Sequence, residues 1–153
     1  MANFRLRVDA EEWFKKVDKG PKFDVYYYCA IVGMLNNKRN EPAGVASTDI
    51  VTKFINDYRP FQNLIIGLLI ISELRKVGID ISEKEAVRKE IQAIVSPQGG
   101  TGLTERGVQL LNHYSSGGFE YIRDSRSTKP GSRDEFMLDF INMVELAAEE
   151  LKF

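Results

Sequence analysis

Apolar residues return at intervals of three and four along most of this chain, the period of helices that bury one face. The exception comes first. FRLRV at residues 4–8 alternates apolar and basic, which predicts a short strand or an extended arm with one face docked. Asp9 is placed to cap a short helix running to about Asp18, with Trp13, Phe14 and Val17 inward and Gly20-Pro21 ending it. In the next stretch, DVYYYCAIVGMLNNKRNEP at 24–42, Val25, Tyr28, Cys29, Val32 and Leu35 share one helical face, and residues 36–44 break into a polar turn. A helix is expected to restart near Thr48 or Asp49 and carry Ile50, Val51, Phe54 and Ile55 inward.

Pro60 suits the first turn of the following helix, because its missing N–H has no intrahelical partner there. Phe61, Leu64, Ile65, Leu68, Leu69, Ser72 and Leu74 run along that helix until Gly78, apolar on more than one face. It is therefore expected to be surrounded by other helices. Each fully buried aliphatic contributes about 1.5–3 kcal/mol, so Leu68→Asp is expected to unfold the chain. Ser82 with Glu85 reads as a capping box for a helix to Val95, stopped by Pro97. QGGTG at 98–102 reads as a flexible loop, and Thr104 caps a helix carrying Val108, Leu110, Leu111 and Tyr114. Ser115-Ser116-Gly117-Gly118 is expected to interrupt that helix before Phe119, Tyr121 and Ile122 resume. After the surface loop SRSTKPGS, Ser132 and Glu135 form a second capping box. They open a terminal helix with Phe136, Phe140, Val144, Ala147 or Ala148, and Leu151 on one side. The pattern predicts an all-α single domain over residues 1–153, about six helices around the apolar helix at 60–77, with a short N-terminal strand or arm.

Composition narrows the function classes. The chain has 153 residues, 43% hydrophobic and 28% charged, enough to bury a core without disulfides or metal. Its net charge of −1 removes the bulk electrostatic argument for nucleic-acid binding. One cysteine, Cys29, and one histidine, His113, leave too few soft ligands for a zinc site and exclude an intrachain disulfide. No apolar run approaches the roughly 20 residues of a membrane span, and the N-terminus lacks a signal-peptide core. A cytoplasmic location without membrane contact is expected.

Candidate chemistry is sparse. QGGTG precedes a helix as phosphate cradles do, but no Lys-Ser or Lys-Thr follows and no strand precedes it. His113 stands beside Tyr114, Ser115 and Ser116 without the G-x-S-x-G turn of a hydrolase. Cys29, inside an apolar face, reads as an inert core thiol. No catalytic, cofactor-binding or metal site is assigned, and no enzyme is expected. Two basic clusters remain. Lys38 and Arg39 stand beside Glu41, with Arg39 and Glu41 spaced for an ion pair, and Arg123, Arg126, Lys129 and Arg133 span the last loop.

YYYCAIVGMLNNKRNEP, followed later by HYSSGGFEYIRD with the apolar helix between them, resembles small bacterial proteins encoded with DNA phosphorothioation (Dnd-type) and related anti-phage defence systems. The resemblance spans most of residues 23–124, departs in the loops around QGGTG and SRSTKPGS, and carries over no functional residues. It implies an accessory subunit of a defence or DNA-modification complex whose partners are other protein subunits. In that reading Lys38, Arg39, Glu41, Tyr114 and Tyr121 form the partner-binding surface. Charge reversal at Arg39 is expected to spare the fold and weaken partner binding. The alternative is a nucleic-acid-binding regulator that uses the helix pair at 49–77 and the basic loop Arg123, Arg126, Lys129 and Arg133. Its second helix, PFQNLIIGLLII, is too apolar to read a major groove. Homo-oligomerisation stays open, with Tyr26-Tyr27-Tyr28 either an interface anchor or covered by a neighbouring helix.

Overall fold

The computed structural model describes residues 3–151 apart from 18–19, 42–44, 52–53, 55, 99 and 127. Its elements are β1 (Phe4–Arg7), α1 (Val8–Trp13), α2 (Lys22–Leu35), β2 (Ser47–Val51), a 3-10 helix (Asn56–Phe61), α3 (Gln62–Val77), α4 (Lys84–Ile94), α5 (Glu105–Asp124) and α6 (Arg133–Leu151). The predicted all-α architecture with a short N-terminal strand is what the chain adopts.

The centre of the molecule is the pair α2 and α5. Nine of the 14 residues of α2 are buried, among them Tyr26, Cys29, Val32 and Met34, so this helix is enclosed on nearly every side. Its contact with α5 is backbone against backbone. A Cβ added at Gly118 would overlap the carbonyl oxygen of Cys29, and one added at Gly33 would overlap that of Tyr114. The expected break at Ser115-Ser116-Gly117-Gly118 is therefore absent, and α5 runs unbroken through it. Small residues cost helix propensity locally, about 1 kcal/mol per glycine, but here they let two helices close to van der Waals contact, and packing outweighs propensity.

The helix expected from Thr48 or Asp49 is instead β2. STDIV is rich in β-branched residues, and it finds an antiparallel partner in FRLR, with Arg5 opposite Asp49 and Leu6 opposite Thr48. The Arg5 guanidinium reaches the Asp49 carboxylate at 2.7 Å and the Ser47 hydroxyl at 3.0 Å. Phe54 is buried, while Ile55 lies outside the described residues.

The apolar helix α3 is not surrounded. Ile65, Ile66 and Leu69 are buried, but Leu64 is 69% and Phe61 51% exposed, and Leu68 is only partly buried. Leu69 is fully buried while Leu68 packs on the core from its edge, so the larger loss from a polar substitution is expected at Leu69. At the other predicted ends, Thr104 caps α5 by accepting the Gly107 N–H at 3.0 Å, and Ser132 accepts the Glu135 N–H at 3.2 Å. The cap expected before α4 does not form: the helix starts at Lys84 behind Glu83, with no side chain bonded to its first N–H groups, and a turn precedes it. Asp80 accepts the Ser82 N–H at 2.9 Å and Glu83 reaches back to the Asp80 N–H, so Ser82 and Glu85 form no box. Asp9 does not cap α1 either; its carboxylate is held by Arg7 at 2.7 Å. The 98–102 segment is closed by a Val95–Leu103 bridge and a Ser96 N–H bond to the Gly102 carbonyl, with Gly102 at φ 74°. Of the three tyrosines, Tyr26 and Tyr28 are buried and Tyr27 packs on Tyr58, so neighbouring elements cover the cluster.

Candidate interaction site

The polar turn after α2 is built as a fixed platform. Asn37 adopts φ 57°, a left-handed conformation that asparagine tolerates at a helix end. The Lys38 N–H then returns to the Gly33 carbonyl at 2.8 Å. Carbonyls at the end of α2 and in the turn after it accept from α3: Arg75 donates to Met34 O at 2.5 Å, Ser72 to the same oxygen at 3.3 Å, and Lys76 to Asn37 O at 3.3 Å. Cations at this helix end also oppose the negative end of the macrodipole. The turn lies flat on α5, where a side chain at Gly117 would collide with the Lys38 carbonyl, and the Asn40 N–H donates to His113 O at 3.1 Å.

Two partly buried networks pin the turn from below. In the first, Arg39 donates through Nε and Nη2 to the two oxygens of Glu73, both at 3.1 Å. Glu73 is completely buried in α3, and the Tyr114 hydroxyl donates to it at 2.9 Å. In the second, Asn40 donates to Glu120 at 2.6 Å and accepts from Ser116 at 2.6 Å. Arg7, almost fully buried, joins Glu120 at 2.8 Å, Ser116 at 3.1 Å and Asp9, with its guanidinium 5.2 Å from the Phe119 ring centre.

These contacts redistribute the residues singled out in the sequence. Lys38, Arg39 and Tyr121 come together with Lys76, Glu120 and Asp124 around one cleft of about 330 Å³. Glu41 faces the other side of the turn, where a cleft of about 360 Å³ is lined by Arg5, Arg7, Asn112, His113 and Ser116. Arg39 does not pair with Glu41; the buried Glu73 takes it. Tyr114 is not on the surface at all, with 0% exposure, so its side chain is out of reach of a partner. In the basic loop, Arg126 is paired with Glu135 and Asp139, and Arg123 with Asp124 and Asp9. Lys129 and Arg133 stay exposed. The helix pair of the nucleic-acid alternative loses its first member, since residue 49 lies in β2.

Glu73 and Glu120 were not singled out in the sequence, and Asn40 and Arg7 stood out only as members of the polar turn and of FRLRV. Glu73 had a signal, a lone acid inside the most apolar helix. Arg7 had a misleading one, because alternation in FRLRV placed both arginines outward.

The titrating groups follow their surroundings. Burial pushes the Cys29 thiol far up, against a small opposing effect of Arg7, so it is protonated at neutral pH. Burial also raises the Tyr114 phenol, reinforced by the Glu73 carboxylate. His113 lies below its ordinary value, lowered by burial and by Arg39 and Arg106 against Glu41 and Glu73. The hydroxyls beside His113 are committed elsewhere, Ser115 to Tyr26 O at 3.3 Å and Ser116 to Asn40. Among the described residues no group of three His, Cys, Asp or Glu is placed to hold a metal ion, and no helix is long and apolar enough to cross a membrane. No protein-family model, curated protein or solved structure matches the chain.

Proposed function

We propose that this protein is a non-enzymatic accessory subunit that works through protein–protein contact, with the turn at 36–41 as its docking element. The observation that carries the reading is the disproportion between that turn's size and its anchoring. Arg39 and Asn40 are tied to α3 and α5 by charge-assisted hydrogen bonds, while Lys38 is exposed and carries no ion pair among the described residues. A preorganised backbone with an unneutralised cation beside a shallow cleft loses little entropy when an acidic protein surface docks on it. The motif resemblance supplies the setting: a prokaryotic anti-phage defence or DNA-modification complex, in the cytoplasm, whose other protein subunits are the partners.

The test is purification of the tagged protein from cells that carry its native operon. A stoichiometric partner is expected, retained less well by Lys38→Glu, a surface change that leaves the Arg39–Glu73 and Asn40–Glu120 networks intact. Purification of the parent alone refutes the reading. Direct nucleic-acid binding is the weaker reading, since acids neutralise two of the four loop cations.

A further inference from the structure

The cleft between the turn at 36–41, α3 and α5 is left with charges that its own acids do not balance. Arg39 is taken by Glu73 at 3.1 Å, Glu120 by Arg7 at 2.8 Å, and Asp124 by Arg123 at 3.2 Å. Two cations line the same cleft, Lys38 and Lys76, both exposed and without an ion pair among the described residues. The Lys76 ammonium gives one N–H to the Asn37 carbonyl at 3.3 Å, which ties it to the residue preceding Lys38 and leaves its other two N–H groups uncommitted among the described residues.

A second observation is independent of charge. Asn37 lines the cleft as well, and its Oδ1 is buried with no hydrogen-bond donor among the described residues. Such an oxygen is a standing cost to the fold. The backbone that carries it is pinned, at φ 57° with the next N–H returned to Gly33 O, so relief comes from turning the amide about χ2 toward a donor that enters the cleft. A ligand that answers both observations carries an anionic acceptor and an N–H close together. A phosphodiester has the anion but no hydrogen to donate, and Glu120 and Asp124 in the cleft wall disfavour a doubly charged phosphate more than a single carboxylate. A small carboxylate ion satisfies the lysines alone. One residue of a polypeptide supplies both groups.

We infer that this cleft takes a single residue of an acidic polypeptide, its carboxylate between the Lys38 and Lys76 ammonium groups and its peptide N–H on Asn37 Oδ1. An internal acidic residue and the last residue of a chain both offer that pair of groups. The inference rests on the docking reading of the turn and names the part of the partner that enters it.

The test is an NMR titration of the isotope-labelled chain with acetyl-Gly-Glu-Gly-amide up to about 20 mM at low salt, where exposed charges are least screened. The amides of Asn37, Lys38, Lys76 and Gly117 are expected to shift saturably. Acetyl-Gly-Gly-Gly with a free carboxylate separates the two sources: tighter binding than the glutamate peptide assigns the C-terminal residue, weaker binding the internal acid. Replacing the peptide's glutamate by glutamine, or combining Lys38→Gln with Lys76→Gln, is expected to weaken binding about tenfold. Asn37→Gly keeps the left-handed backbone and removes the acceptor; it should weaken the glutamate peptide about threefold yet leave unchanged the binding of the same peptide methylated at the glutamate nitrogen. Absence of saturable shifts at these residues overturns the inference, as does a glutamine peptide that binds equally well. A thymidine dinucleotide that binds more tightly than the peptide also overturns it and assigns the cleft to a nucleic-acid backbone. Peptide binding with no partner captured from the native operon overturns the docking reading alone. A captured partner that Lys76→Gln and Asn37→Gly retain as well as the parent overturns the cleft inference and leaves the turn as the dock.

Discussion

Arg39→Met is the change that tests the architecture most directly. The parent holds a completely buried carboxylate, Glu73, on three donors: Nε and Nη2 of Arg39 at 3.1 Å and the Tyr114 hydroxyl at 2.9 Å. Removing the guanidinium leaves that carboxylate with one neutral donor and no counter-charge. Breaking a buried pair from one side costs about 3–5 kcal/mol. Arg39 is 27% exposed, so part of the pair's attraction is already screened by solvent and the lower end, about 3 kcal/mol, applies. In a chain of this length such a loss lowers Tm by roughly 6–12 °C. Tyr114→Phe removes one bond to a charged acceptor and is expected to cost about 1.5–3 kcal/mol. In the double variant Arg39→Met/Glu73→Leu no charge is stranded, so its loss should fall well short of the sum, with a coupling of about 2 kcal/mol. Urea unfolding read at constant m-value measures all three. If Arg39→Met lies within about 0.5 kcal/mol of the parent, the pair is not what holds the turn, and Arg39 returns to being a surface reagent. The expectation from sequence, that charge reversal at Arg39 spares the fold, is replaced by its opposite.

Other consequences can be checked independently. Gly118→Ala should fail to fold or lose more than about 3 kcal/mol by urea titration, because its methyl group meets the Cys29 carbonyl, whereas Gly67→Ala, in open space mid-helix, should gain about 0.5–1 kcal/mol. Thr104→Ala removes the α5 cap and should cost about 0.5–2 kcal/mol, with Thr104→Ser recovering most of it. Burial holds His113 below its ordinary 6.5, so as pH falls the unfolded chain takes up that proton first. The stability it contributes is complete above 6.5 and disappears as pH drops through the folded-state value; urea midpoints at about pH 7.5 and 5.5 should therefore fall further for the parent than for His113→Gln. Cys29 should react with a thiol reagent only at the rate of unfolding, and rapid labelling of the native protein would contradict its burial.

What could be read from the sequence was periodicity, and what could not was contact between distant segments. Apolar spacing and cap signals located all six helices, because both are local properties, and added one near Asp49 that does not form. They did not rank the helices by enclosure. KFDVYYYCAIVGML and QNLIIGLLIISELRKV are both apolar on more than one side, yet only the first is buried nearly all round. What distinguishes them is the glycine-lined groove of α5, some 85 residues away from Gly33, which admits the backbone of α2 and has no counterpart for α3. The strand β2 failed to register for a similar reason: Thr48 and Asp49 are good caps for a helix that never forms, since the partner that makes them a strand lies more than 40 residues upstream. The candidate site shows the same division more sharply. A polar turn after α2 was evident from Asn36 to Glu41, but its meaning depended on Glu73 and Glu120, 34 residues from Arg39 and 80 from Asn40. Those two acids turn Arg39 and Asn40 from outward-facing groups into internal fasteners, leaving Lys38 and Lys76 as the cations at the surface. The apolar helix expected at the centre is half at the surface, and its charges are spent on its neighbours: Glu73 turns inward to Arg39, Arg75 and Lys76 donate to the carbonyls of Met34 and Asn37, and Leu64 and Ile71 are left exposed.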